Sequence, residues 1–191
     1  VTGKLLHLIG VSQPLGTLND HTAEPKIAAF RDRILAGESI ALLSDAGTPT
    51  VSDPGTQLVD LCHESGIEVD PIPGPSAVTT ALCASGFFGQ RYAFLGFLPR
   101  KPGPARKILE PFLESSLTIT LFESPHRFLK TLTLCGEVLG PRRYCIAREL
   151  TKLNAQIYRA ELPELPTEKQ VPAKGEFTLV IEGWRKGQND E

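Results

Sequence analysis

Residues 40–55 constrain the fold more than any other stretch of this chain. Four apolar residues in a row, Ile40-Ala41-Leu42-Leu43, run straight into Ser44-Asp45-Ala46-Gly47-Thr48-Pro49. A short apolar run without alternation suits a strand buried on both faces, as in a parallel sheet covered by helices. Small residues at the carboxyl end of such a strand let a ligand approach the backbone, and open α/β sheets bind ligands at that end. The flanking segments keep the same grammar. Residues 23–36 carry Ile27, Phe30, Ile34 and Leu35 on one helical face before Gly37, and residues 55–65 carry Leu58, Leu61 and Cys62 before Gly66. Ile67 to Ile72 alternates as a strand. Helix, strand, helix, strand in succession predicts an α/β protein.

Beyond the rigid turn Pro73-Gly74-Pro75, a helix is expected over 75–85 and a boundary in 86–91. The second half reads as strands at Tyr92–Phe97, Leu117–Phe122, Arg143–Ala147, Gln156–Ala160 and Glu176–Glu182, with helices over 105–114 and from Pro125. This gives a first α/β domain over 1–88, a second over 89–184 and a polar tail over 185–191.

The net charge of −2 carries no overall basicity, so any contact with RNA must come from a local patch. No apolar run reaches the roughly 20 residues of a membrane helix. The four cysteines, Cys62, Cys83, Cys135 and Cys145, form no CxxC pair and no zinc spacing. They read as reduced thiols of a cytoplasmic protein without metal. A chain that begins with Val and contains no Met reads as a trimmed, processed or fragmentary product.

Six motifs carry the chemistry. In Ser44-Asp45-Ala46-Gly47-Thr48-Pro49-Thr50-Val51-Ser52-Asp53-Pro54-Gly55, Asp45 can accept hydrogen bonds from an amine or a ribose, whereas Asp53 is expected to cap the helix that Pro54 starts. Neither GxxxxGK[ST] nor GxGxxG occurs, so phosphate cradling is not the natural reading. Pro73-Gly74-Pro75-Ser76-Ala77 reads by itself as a helix-starting turn before it reads as a site, though it places Ser76 where its hydroxyl or N–H can face a ligand. Glu123-Ser124-Pro125-His126-Arg127 follows a strand without the GxSxG of a hydrolase elbow. Ala147-Arg148-Glu149-Leu150-Thr151-Lys152 and Lys174-Gly175-Glu176-Phe177 read either as site loops or as a solvated edge and a turn. Arg100-Lys101 with Arg106-Lys107 is either a phosphate contact or solubilising charge.

In this order, SDAGTPTVSDPG, PIPGPSA, FLGFLPRK, FESPHR, ARELTK and KGEF resemble the ribosomal RNA small subunit methyltransferase I family, within the tetrapyrrole methylases. The likeness runs from Thr2 to about Gly183. It implies a tetrapyrrole-methylase-like two-domain fold, with a parallel sheet in the first domain and a mixed sheet in the second, and the cofactor cleft between them. It implies a homodimer that transfers methyl from S-adenosylmethionine to the 2′-oxygen of a cytidine in 16S ribosomal RNA of the small subunit. Carried over by motif, Asp45, Ala46, Gly47, Pro49, Val51, Ser76 and Ala77 would line the cofactor from the first domain, and Phe122, Glu123 and Leu150 from the second. Arg100, Lys101, Arg127, Arg148 and Lys152 would meet RNA. The general base is unassigned, with Glu149 and Lys152 as candidates. The family's TPIGN-type loop and EDTR motif would precede Thr2, so the parallel sheet is expected to be incomplete. Two other readings stand beside this one: a sister enzyme methylating a small tetrapyrrole, and a binding or dimerisation module without turnover.

Overall fold

The computed structural model describes residues 2–185, and its chain divides into two compact units between Ser76 and Ala77. The tail expected over 186–191 lies outside the described residues.

The second unit is built on a five-stranded sheet in the order β1-β2-β5-β3-β4, with β1 at Tyr92–Phe97, β2 at Thr118–Glu123, β3 at Arg143–Arg148, β4 at Gln156–Glu161 and β5 at Phe177–Ile181. β1 and β2 are parallel and the remaining pairs antiparallel, so the sheet is mixed. Parallel neighbours need a crossover, and the helix Pro102–Leu109 supplies it. Phe128–Leu139 forms a second helix on the same face. Their buried residues Ala105, Leu109, Leu132 and Cys135 close over Ile119, Leu121, Ile146, Leu179 and Ile181 in the main core. On the opposite face the helix Ala77–Ser85 buries Ala81 and Leu82 against Cys145, Ala147 and Val180. This helix starts at the expected turn but packs within the second unit. Five strands stand within two residues of their expected positions, because each alternates or fills a sheet with a partner on at least one side.

In the described part of the first unit, three helices occur, at Thr2–Leu8, Glu24–Leu35 and Thr56–Glu64. The latter two meet through Ile27, Leu58 and Cys62, with Phe30, Ile34 and Leu61 beside them, while Leu35 stays 59% exposed. No strand is formed among the described residues of this unit, so the segments expected at Ile40–Leu43 and Ile67–Ile72 carry no ladder. The reason is pairing. Ile67 and Val69 still turn inward and Glu68 and Asp70 outward, but alternation becomes a strand only where a neighbour takes the backbone hydrogen bonds.

Candidate functional site

The loop after Leu43 is held by its own small polar groups. The Ser44 hydroxyl donates to the Ala46 carbonyl at 3.1 Å, and the Thr48 hydroxyl donates to the Pro75 carbonyl at 3.3 Å. That second bond joins two motifs 27 residues apart in sequence, the Asp45-Ala46-Gly47 loop and the Pro73-Gly74-Pro75 turn. Asp45, Ala46, Gly47 and Val51 are exposed, Pro49 and Ser76 half-buried. Thr50 and Ser52 hold positive φ of 71° and 59°, a left-handed conformation that costs a residue with a Cβ energy and clusters at ligand loops. Asp53 does not cap the following helix, which has Gly55 at its N-cap and no side-chain cap bond. At φ 130° a Cβ at Gly55 would lie 2.6 Å from Leu42, so the chain turns here on glycine rather than on an aspartate cap.

Asp45 and Asp53 line an open hollow of about 1170 Å³ in the first unit, walled also by Phe30, Leu42, Leu43 and Leu58. Partial burial pushes the Asp53 carboxyl above its ordinary value, and the charges of Asp45 and Asp20 push it the same way. Arg33 and Glu38 also line the hollow and pair with each other, so Asp45 and Asp53 leave an excess of carboxylate that favours a cationic ligand.

In the second unit, the end of β2 and the start of the helix Phe128–Leu139 form one hydrogen-bonded group. Glu123 is 3% exposed. Its carboxylate accepts the Ser124 N–H at 2.7 Å and the Thr131 hydroxyl at 2.6 Å, and faces the Arg127 guanidinium at 3.3 Å. Arg127 in turn donates to the carbonyl of Leu98 at 2.9 Å and of Pro99 at 3.4 Å. Arg127, expected on the RNA side, therefore fastens the basic loop, and Arg100 and Lys101 beyond it are exposed and make no ion pair among the described residues. Of the other two cations, Arg106 pairs with Glu137.

The ends of β3 and β5 form a second group. Arg148 is 8% exposed and donates to the carbonyls of Lys174 and Asn154, at 2.6 and 3.2 Å, tying together the loops that follow β3 and precede β5. Glu149 Oε1 accepts from the Lys152 ammonium and from the Glu176 N–H, both at 2.9 Å. Lys152 also reaches Glu176 Oε2 at 3.0 Å. These bonds hold the Glu149 carboxyl below its usual range, the Glu176 N–H first among them, and hold Lys152 above its own. An ammonium has no lone pair, so within this pair only Glu149 can take up a proton. Leu150 packs partly buried beside Ala147 and Cys145. Phe122 is half-buried and meets Phe94 and Phe97, with ring centroids 4.8 and 5.7 Å away. Sequence reasoning named Phe122 but missed the bond of Thr48, Thr131, and the rings of Phe94 and Phe97. The signal for the last was the glycine inside Tyr92-Ala93-Phe94-Leu95-Gly96-Phe97, which marks a bulge.

Among the described residues no group of three or more His, Cys, Asp or Glu is placed to hold a metal, and no helix is long and apolar enough to cross a membrane.

Solved structures share the fold. The structure of the methyltransferase CobJ matches at a TM-score of 0.66 and 18% identity, over 96% of this chain and 83% of that one. A uroporphyrin-III C-methyl transferase from Thermus thermophilus, complexed with S-adenyl homocysteine, matches at 0.55 and 16%, over 83% and 73%. At sequence level, ribosomal RNA small subunit methyltransferase I from Haemophilus influenzae is 42% identical over all of this chain and 69% of its own length. The Thermotoga maritima protein of that name is 40% identical over 94% and 81%. The family model for tetrapyrrole (corrin/porphyrin) methylases matches residues 9–166. The chain belongs to the tetrapyrrole methylase family and is by class a methyltransferase.

Proposed function

We propose that the chain uses S-adenosylmethionine to methylate ribosomal RNA of the small subunit, at the 2′-oxygen of a cytidine in 16S RNA, as a cytoplasmic homodimer. The observation that carries the reading is the bond from Thr48 to Pro75. It brings together the two small-residue loops that the resemblance assigns to the cofactor, in a chain similar along its length to methyltransferases named for this RNA.

The residues present fit the cofactor. Its sulfonium and ammonium are cationic, and Asp45 and Asp53 line one hollow. A Cβ at Gly47 would meet nothing within 4 Å, so the backbone there is open to approach. S-adenosylmethionine supplies an activated methyl group. Asp45 would accept hydrogen bonds from its amine or ribose, with Ala46, Gly47, Pro49, Val51, Ser76 and Ala77 as the small wall around it. Phe122 and Leu150 would offer apolar contact. Glu123, with its oxygens taken up by Ser124, Thr131 and Arg127, would act through the loop that Arg127 holds. Arg100 and Lys101 would meet phosphates. The 2′-hydroxyl must give up a proton, and Glu149 Oε2, which carries no hydrogen bond among the described residues, is the acceptor this cluster offers. A positioned base contributes roughly 10²–10⁴-fold.

The test is calorimetry with S-adenosylmethionine, followed by transfer of labelled methyl to unmodified small ribosomal subunits. The expected outcome is binding by the native chain, loss of binding in Asp45→Ala, and label on a cytidine 2′-oxygen. Unchanged affinity in Asp45→Ala would remove that residue from the site. Label entering a uroporphyrinogen instead of RNA would assign the chain to the sister activity.

A further inference from the structure

Phe94 and Phe97 at the sheet edge, whose rings meet Phe122, have no part in the assignments above. Phe94 stands opposite Thr120 and Phe97 opposite Phe122, so three residues of β1 span two of β2. This is a β-bulge, and Gly96 within it has a positive φ of 59°, which a residue without Cβ adopts freely. In a regular strand, residues three apart point to opposite faces. The bulge instead brings Phe97 onto the face of Phe94 and Phe122, where the rings of Phe97 and Phe122 meet at 56°. Phe97 is nonetheless 58% exposed, on a strand at the edge of the sheet that the described residues form. Leu98-Pro99-Arg100-Lys101 follows directly. Arg100 lies three residues on, within about 11 Å of chain reach, and the loop is pinned by Arg127 at the Leu98 and Pro99 carbonyls.

A backed and exposed ring beside cations that make no ion pair among the described residues is the arrangement by which proteins hold single-stranded nucleic acid, with the base on the ring and phosphates on the cations. A base in a duplex is stacked on both sides and leaves no face for it. We propose that Phe97 is a stacking platform for one unpaired RNA base, and that Arg100 and Lys101 take the adjoining phosphates. This rests on the ribosomal RNA reading and extends it to the conformation of the substrate, which must present an unstacked nucleotide to this edge. The Glu123–Arg127 pair is then a positioning device for the platform loop.

The experiment uses the full chain and a fluorescein-labelled single-stranded RNA of about a dozen nucleotides, alone and annealed to its complement, read by anisotropy. Calorimetry with S-adenosylmethionine, sedimentation and a thermal melt accompany each variant. The native chain is expected to prefer the single strand. Phe97→Ala should weaken it roughly tenfold or more, and Phe97→Tyr should restore it, with cofactor affinity and oligomeric state unchanged. RNA bound equally by the native chain and Phe97→Ala overturns the platform and leaves the RNA reading standing. No RNA bound by the native chain, with cofactor binding intact, overturns the RNA reading itself. Loss of cofactor affinity or a change of oligomeric state in both Phe97 variants would give the ring to the cofactor or to a second copy of the chain, and overturns the platform as well.

Discussion

Glu149 lies across Gly175, so closely that a Cβ there would stand 2.5 Å from Glu149 Cγ and 2.7 Å from its Oε1. Gly175 also holds a positive φ of 98°. The glycine of Lys174-Gly175-Glu176-Phe177 therefore makes room for the glutamate of Ala147-Arg148-Glu149-Leu150. Gly175→Ala should cost about 1–2 kcal/mol from backbone conformation alone and push Glu149 off the Glu176 N–H. Chemical denaturation reads the first effect. The second should appear as a further loss of methyl transfer beyond that of a destabilised control variant with an intact Glu149 contact.

The Glu149 carboxyl is held below its ordinary value of 4.5 in the folded chain. A depressed carboxylate stabilises the fold fully above the unfolded value, and that contribution is lost as pH falls through the folded one. Glu149→Gln should therefore flatten the acid side of the stability profile. Denaturation midpoints taken between about pH 3 and 7 test this. A profile in which native and variant chains fall in parallel below the ordinary value would show that the carboxylate gains nothing from Glu176 and Lys152.

Thr131 donates to a carboxylate whose side chain is fully buried. Thr131→Val keeps the shape and removes the donor, leaving Glu123 Oε2 with Arg127 alone. A loss of about 1–3 kcal/mol is expected. Because Arg127 reaches the Leu98 and Pro99 carbonyls, hydrogen exchange at Arg100 and Lys101 should quicken in Arg127→Met, while the core amides of β3 and β5 remain protected.

The raised carboxyl of Asp53 gives the proposed cofactor site a pH signature. Its value stands above the ordinary 3.8 because of partial burial and the nearby charges of Asp45 and Asp20. A cationic ligand favours the ionised form, so affinity for S-adenosylmethionine should rise as pH increases through the Asp53 titration. Calorimetry from about pH 4 to 7 should show that slope in the native chain and its loss in Asp53→Asn.

Burial pushes the Cys135 thiol up to about 12 and Cys145 up to about 11, and also raises Cys62. Cys83 is exposed. The thiolate is the reactive form, so a thiol reagent should modify Cys83 rapidly in the native chain and the other three only on unfolding. Mass spectrometry of the early product gives the answer directly.

The second unit was open to reading from sequence because its strands are short segments between turn residues, either apolar throughout like Phe177–Ile181 or alternating like Gln156–Glu161. Tyr92–Phe97 stands as expected, and the strand expected over Arg143–Ala147 runs one residue further to Arg148. The first unit was legible only in part. Ile27, Leu58 and Cys62 face one another as their helical spacing requires, whereas Ile40–Leu43 and Ile67–Ile72 read as strands and form none here. The motif order in Ser44 to Gly55 and Pro73 to Ala77 carried the family, and no periodicity was needed for that.

By itself, then, the sequence determined the α/β class, the faces that become cores and the loops that bear small or basic residues, because these depend on local spacing and side-chain chemistry. Tertiary structure alone decided how each polar group is spent. Arg127 and Arg148 read as surface cations, yet neighbouring carbonyls claim both. Phe97 read as one more strand residue, until a single extra residue in β1 turned it onto Phe122. A side chain's type is written in the chain, but its hydrogen-bond partners and its face lie tens of residues away in sequence, and only packing brings them within reach.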